Sequence, residues 1–203
     1  MTVPSATGPS RRRLLGALGI GVTTSIAGCL GEFGDDGAEG EDDDEHPFAD
    51  RVIDHPGGES IPFTDDQHCA VCNMRPTGYA RWQSQLAHEN GEGAVFDTPG
   101  CLFAYYAAPP VESPVSDAWT TNFGTTELID ATDAHFVLVT DEDDVDNEPM
   151  GLNPRPFAAR EDAVAYLDEW DAEALTEEDI IELAAVDREI ARIYRGRRVP
   201  DEP

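Results

Sequence analysis

Apolar residues fall into three regimes along the chain. From Leu14 to Ile26 they dominate, from Gly31 to Glu45 they nearly vanish, and from about Phe48 to Tyr194 they recur with the spacing of folded elements. In that third regime Tyr79 to Leu86 and Gly93 to Phe96 have the character of strands, joined by the turn sequence Glu89-Asn90-Gly91-Glu92. Thr98-Pro99 supplies an N-cap with proline in the first turn, and predicts a helix through Leu102, Phe103, Tyr105 and Tyr106. Glu127 to Ala131 and His135 to Thr140 read as two more strands. Arg160 to Trp170 reads as a helix with Ala163, Val164, Leu167 and Trp170 on one face. Thr176 to Tyr194 has the pattern of a longer amphipathic helix, lined by Ile180, Ile181, Leu183, Ala184, Ile190 and Ile193. Strand–strand–helix occurs twice, which predicts an α+β fold rather than alternating β and α. The expected folded domain is 48–195, with 196–203 as a disordered tail.

The first regime is too short to span a bilayer. Leu14 to Ile26 is 13 residues, whereas a crossing helix needs about 20 apolar residues. Ser10-Arg11-Arg12-Arg13-Leu14-Leu15 precedes it and matches a twin-arginine export signal. Ile26-Ala27-Gly28-Cys29 ends it and has the form of a lipobox. These features predict a signal peptide over 1–28 read through Arg11 and Arg12, and a lipid on Cys29. An acidic flexible tether follows over 29–47, so the protein is expected outside the cytoplasm, held to the membrane face.

Charge narrows the class of partner. The chain has 42 acidic residues against 13 basic ones, all arginine, for a net charge of −29. The signal segment holds three of those arginines and no acid, which puts the mature chain at −29 − 3 = −32. Such a surface repels nucleic acid, so no nucleic-acid partner is expected. It also destabilises a compact state unless molar salt cuts the screening length to about 3 Å, as expected of a protein from a high-salt organism. No Asp/Asn/Gly loop of calcium-binding spacing is present. Arg188, Arg192 and Arg195, with Arg197 and Arg198, gather five of the ten mature arginines at the C-terminus. Cations at a helix C-terminus balance its dipole; a docking surface for an acidic partner is the other reading.

With Cys29 assigned to the lipid, Cys69, Cys72 and Cys101 remain to be explained. Beyond the initiator the only methionines are Met74 and Met150. The densest cluster of ligand types is His68-Cys69-Ala70-Val71-Cys72-Asn73-Met74. Thiolate and thioether together favour Cu(I), whereas zinc prefers thiolate, imidazole and carboxylate. Met150 stands in Glu148-Pro149-Met150-Gly151, a polar turn in which a methionine has little core to fill. Other readings remain open at this level. Cys69-x-x-Cys72 also fits a thiol–disulfide oxidoreductase, although Asn73, Arg75-Pro76 and Gly78 disfavour the helix such a pair normally opens. It equally fits half of a zinc knuckle, or a structural disulfide, including one between Cys69 and Cys101.

Several blocks in order resemble the NosL family of exported lipoproteins. They are Cys72-Asn73-Met74, Val95-Phe96-Asp97, Leu102-Phe103-Ala104-Tyr105-Tyr106, Ile129-Asp130-Ala131, His135-Phe136-Val137, Pro149-Met150-Gly151 and Pro156-Phe157. The resemblance implies two ββαβ-type halves, related to the organomercurial-lyase fold, packed as one domain with a C-terminal helix. It implies a non-enzymatic Cu(I) chaperone that supplies nitrous-oxide reductase. Its metal ligands fall on Cys72, Met74 and Met150, with Cys69 and His68 as candidate additions. Asn73 stands where the family motif has glycine; asparagine tolerates left-handed backbone, so the turn is expected to survive. Cys69 lies outside the minimal motif, either as a third sulfur ligand or as a thiol that closes on Cys72 when copper is absent.

Overall fold

The computed structural model describes residues 46–141, 145, 148–170 and 174–201. Ser84–His88 (β2) and Glu92–Phe96 (β3) pair antiparallel across a turn at Gly91, with Gln85 opposite Val95 and Leu86 opposite Ala94. The expected hairpin is therefore present. It starts later than the apolar pattern suggests, because Pro76–Tyr79 forms a 3-10 turn that the strand cannot include. The helix Pro99–Ala107 (α1) begins where Thr98 caps it, its side chain accepting from the Cys101 backbone N–H. Val115–Thr121 (β4) then returns to pair with β2. Ile53–Asp54 (β1) and Leu128–Asp130 (β5) extend the two flanks, giving an antiparallel sheet of order β1-β3-β2-β4-β5.

His135–Val137 (β6), Arg155–Phe157 (β7), the helix Arg160–Glu169 (α2) and Ile180–Glu182 (β8) repeat that plan. Their order is β7-β6-β8, all antiparallel. In each half the first strand is central, the second lies on one side, and the strand after the helix lies on the other. The α+β class and the duplicated ββαβ plan are both present.

Three expected elements differ. The segment Glu127 to Ala131 contributes its strand to the first sheet, on β4, and not to a hairpin with β6. β6 pairs instead with β8 and with β7, and β7 contains Pro156 and therefore lacks one backbone donor. An edge strand tolerates that, and proline masks the strand pattern. The longest correction falls on Thr176 to Tyr194. Thr176 caps only a 3-10 turn, Glu177–Asp179, and Asp179 bonds back to the Thr176 N–H at 2.6 Å. The β-branched pair Ile180-Ile181 then enters the sheet, with Ile181 opposite Phe136. The last helix begins only at Arg188–Arg195 (α3), where Asp187 accepts from the Ile190 N–H at 2.9 Å. Strand pairing overrides the helical period because both isoleucines meet a vacant edge. The expected tail at 196–203 is folded as far as Val199: Gly196–Arg198 forms a 3-10 turn and Val199 is 2% exposed.

The core joins these pieces through aromatic side chains. Phe103 of α1 meets Phe136 of β6 edge-on at 5.0 Å and Tyr194 of α3 at 5.8 Å. A second cluster surrounds Arg155, only 1% exposed, whose guanidinium lies 4.8 Å from the Phe123 ring centre and 5.4 Å from that of Trp82. Its fork grips Glu148 with bonds of 2.6 and 2.9 Å. Removing one partner of an enclosed ion pair strands the other charge. Arg155→Met is therefore expected to cost about 3 kcal/mol, read by denaturant unfolding in molar salt. A wild-type midpoint for that variant would show that the pair is dispensable.

Candidate metal centre

The cysteine loop closes on itself. The Cys69 N–H donates to the Met74 carbonyl at 2.8 Å, and the Asn73 N–H donates to the Cys69 carbonyl at 3.0 Å. Asn73 adopts φ +66°, so the asparagine takes the left-handed position that the family motif gives to glycine. The loop hangs on β3 through Ala70 N–H to Val95 O at 3.1 Å. Arg51 braces it from outside, donating to Ala70 O at 3.0 Å and Asn73 Oδ1 at 3.1 Å. β3 runs directly into Asp97, Thr98 and α1, and so delivers Cys101 in the first helical turn to the same place. The Sγ atoms of Cys69, Cys72 and Cys101 and a carboxylate oxygen of Asp97 all lie within 4.8 Å of one another. All three cysteines are free thiols. Cys69, Cys101 and Asp97 are 0% exposed, whereas Cys72 is half-buried, at the edge of the cluster.

The charges in this cavity are unequal. Burial pushes the Cys69 thiol well above its ordinary value, and hydrogen bonding with Cys101 raises it further. Cys72 is raised chiefly by its hydrogen bond with Cys101, partly opposed by the one with Cys69. For Cys101 burial also opposes ionisation, but hydrogen bonds from Cys69 and Cys72, the Arg195 guanidinium and Thr98 outweigh it and hold this thiol well below its usual range. The start of α1 adds the positive end of a helix dipole. Burial, with the Cys101 sulfur close by, raises Asp97 to about 6. Neither Asp97 oxygen has a hydrogen-bond partner of good geometry, an uncommon state for a buried carboxylate. A cavity with three sulfurs, one buried carboxylate and one thiol whose ionisation is favoured is suited to a cation. Three sulfurs suit a soft monovalent ion, and adding the carboxylate would suit a tetrahedral divalent one.

The structure thus brings Cys69 and Cys72 together. Met74 ends the same loop, half-buried, with its carbonyl closing the turn; His68, also half-buried, directly precedes Cys69. Met150 lies in a separate turn at φ +62°, followed by Gly151 at φ +77°. That turn reaches the cysteines through bonded residues. The Asn153 amide donates to Pro149 O and Gly151 O at 3.0 Å each, and Asn153 Oδ1 accepts from Arg195 at 2.6 Å. Cys29, Arg11 and Arg12 fall outside the described residues. Sequence reading left Cys101 without a role and did not single out Asp97. It placed Arg195 in a cationic surface cluster, whereas Arg195 is 4% exposed and bonded to Cys101. One signal for Cys101 was legible: Asp97-Thr98-Pro99 sets it in the first turn of a capped helix, where a thiolate is favoured.

A surface hollow of about 680 Å³ is bordered by Ala107, Asp187, Arg188, Glu189, Arg192 and Asp201 and includes none of the thiols. Among these residues no helix is long and apolar enough to cross a membrane.

A family model described as NosL matches residues 60–184, more than half of the chain. No curated protein matches in sequence. Among solved structures, the copper chaperone NosL from Shewanella denitrificans superposes with a TM-score of 0.51 at 14% identity. That match covers 66% of this chain and 99% of the other. At such identity the likeness speaks for the fold.

Proposed function

The chain belongs to the NosL family, and on that premise we propose that it is a Cu(I) carrier that loads a secreted copper enzyme. One observation carries the reading: three free thiols converge within 4.8 Å, two sealed in the core and one at the rim. Three sulfurs match the preference of Cu(I) for soft, low-coordinate surroundings. The rim position of Cys72 matches the need to pass the ion on, because an acceptor can attack a copper–sulfur bond only where it can reach one. Cys72 is common to two ligand sets. One is the family positions Cys72, Met74 and Met150; the other is the cysteine trio Cys69, Cys72 and Cys101. His68, which directly precedes Cys69, is a further candidate donor.

Nitrous-oxide reductase is the recipient that the family resemblance favours, and the solved relative of this fold is itself a copper chaperone. The twin arginines at Arg11 and Arg12 and the lipobox ending in Cys29 support export and attachment to the outer membrane face through lipid. The acidic stretch to residue 47 then acts as the reach of a tethered donor.

Titration against a chromophoric Cu(I) chelator should show one copper per chain. A Cys72→Ser, Met150→Ala double variant should lose about a hundredfold or more in affinity, since it removes a ligand from both sets. Unchanged affinity in that variant would sink the proposal. Burial weighs against a thiol–disulfide oxidoreductase that uses Cys69 and Cys72. Cys69 is sealed, Cys101, the thiol most readily ionised, is sealed as well, and the accessible Cys72 is held protonated. Insulin reduction by the fully reduced protein should accordingly stay at background.

A further inference from the structure

Arginine carries five N–H donors, and Arg195 uses all five inside the protein. Nε donates to Cys101 Sγ at 2.9 Å. Nη1 donates to Leu152 O at 3.0 Å and Tyr194 O at 2.6 Å. Nη2 donates to Asn153 Oδ1 at 2.6 Å and to Thr98 Oγ1. None of these five acceptors is a carboxylate. A permanent positive charge that is 4% exposed and meets only neutral oxygens and one sulfur is costly, unless the sulfur side of the cavity carries the compensating negative charge. A cluster of thiolates around one monovalent cation carries such a charge.

The other end of the same guanidinium reaches the methionine turn. Asn153, 0% exposed, is a hub: its side-chain oxygen accepts from Arg195, and its amide holds the carbonyls of Pro149 and Gly151. Its own carbonyl accepts from Arg155 at 2.8 Å, and Arg155 also grips Glu148 at the head of the turn. Met150 is therefore presented on a braced turn. Gly100 supplies the space for this bridge, since a Cβ there would lie 2.6 Å from an Arg195 nitrogen and 2.7 Å from its Cζ.

We infer that Arg195 is a positioning residue of the metal site: it balances the charge of the cysteine cluster and, through Asn153, fixes the Met150 turn relative to Cys101. This rests on the reading of Met150 as a copper ligand. Lysine has three donors on one atom, so it can keep the charge but cannot span Cys101 and Asn153 together.

The test measures Cu(I) affinity for the full exported chain carrying R195Q, R195K or N153A, with N153A repeated in an M150A background. Orienting residues around a metal site typically cost 10- to 100-fold when removed. R195Q should therefore lose about tenfold or more, and R195K should recover part of that loss. N153A should lose about tenfold with Met150 present and almost nothing in M150A, because its effect passes through that thioether. Wild-type affinity in R195Q, no recovery in R195K, or an equal N153A loss in both backgrounds would each overturn the inference. Hydrogen exchange on the metal-free protein gives a readout independent of copper. R195Q should speed exchange at the Gly151 amide, which bonds Glu148 O, while leaving Leu86 in β2 unchanged. An unaltered Gly151 rate would refute the bridge, and a parallel rise at Leu86 would mark mere destabilisation and refute it too. If R195Q does not fold, N153A retains the Arg195–Cys101 contact and carries both readouts. Failure of the wild-type chain to bind Cu(I) would instead remove the proposed function, leaving the exchange result to judge the bridge.

Discussion

Cys101→Ser should weaken Cu(I) binding about a hundredfold, some 2.7 kcal/mol, and remove one sulfur from the coordination shell seen by X-ray absorption. The reason lies in what serine keeps and loses. Its hydroxyl is close to the thiol in size and can still accept from Arg195 Nε, so the first turn of α1 and the packing around it should stand. What disappears is the soft anionic donor that the site holds ready, since Cys101 is the thiol kept well below its ordinary pKa. Serine does not ionise in this range, and its oxygen is a poor ligand for Cu(I). The loss should therefore appear in copper affinity with little change in the unfolding midpoint. Cys69→Ser should behave similarly, being equally sealed and within the same 4.8 Å cluster. If Cys101→Ser binds copper as tightly as the wild type, the cysteine trio is not the site, and the ion sits on Cys72 with the thioethers.

That Cys101 joins the other two thiols was not legible from its own position. Spacing arguments favour residues close in sequence, and Cys69-x-x-Cys72 stands out because three residues of separation make a turn. Cys101 comes from about thirty residues away, and only the pairing of the loop with β3, through Ala70 N–H to Val95 O, brings the two segments together. Asp97 was hidden differently, since one acid among 42 carries no signal until its burial is known. Arg195 was misread for the complementary reason. At the end of an amphipathic helix an arginine is normally a solvated cation facing the dipole, and its sequence neighbours Arg192, Arg197 and Arg198 are exposed. Elements defined locally were legible: the β2–β3 hairpin by its Asn-Gly turn, α1 by Thr98-Pro99, and α2 by its apolar face. Elements defined by a distant partner were not. Ile180 and Ile181 satisfy a helical period as well as a strand, and only the free edge of β6 decides between them. The duplicated ββαβ plan was anticipated from the resemblance, yet one of the strands first assigned to its second half belongs to the first sheet. The methionine turn was legible as a turn, but its bracing by Arg155, Asn153 and Arg195 was not, because Arg195 comes from a distant part of the chain.

Copper affinity should also climb steeply with pH, by about two orders of magnitude per unit between pH 7 and 8. The sign follows from the direction of each shift. Cys69, pushed up mainly by burial, and Cys72, pushed up mainly by its bond with Cys101, are both protonated near neutrality in the metal-free protein. Cys101 is instead held well below its ordinary range. Loading one Cu(I) onto three thiolates must therefore expel about two protons from the coupled cluster, whichever sulfurs they occupy. Each proton released adds about one logarithmic unit of affinity per pH unit, and the gain continues until the raised thiols titrate unaided. Asp97, at about 6, is ionised across this window and adds no slope there. Calorimetry in buffers of different ionisation enthalpy would count the protons directly. About two per copper supports the cysteine trio. A value near zero would mean that copper binds Cys101 and the thioethers alone, and a value near one that only one further thiol takes part. The same linkage gives the carrier a route to release. Cys72, at the rim, is the thiol that solvent can reprotonate most easily, so a local fall in pH or a competing ligand would open the site from the side facing an acceptor. The sealed pair beneath would keep the ion from escaping before one arrives.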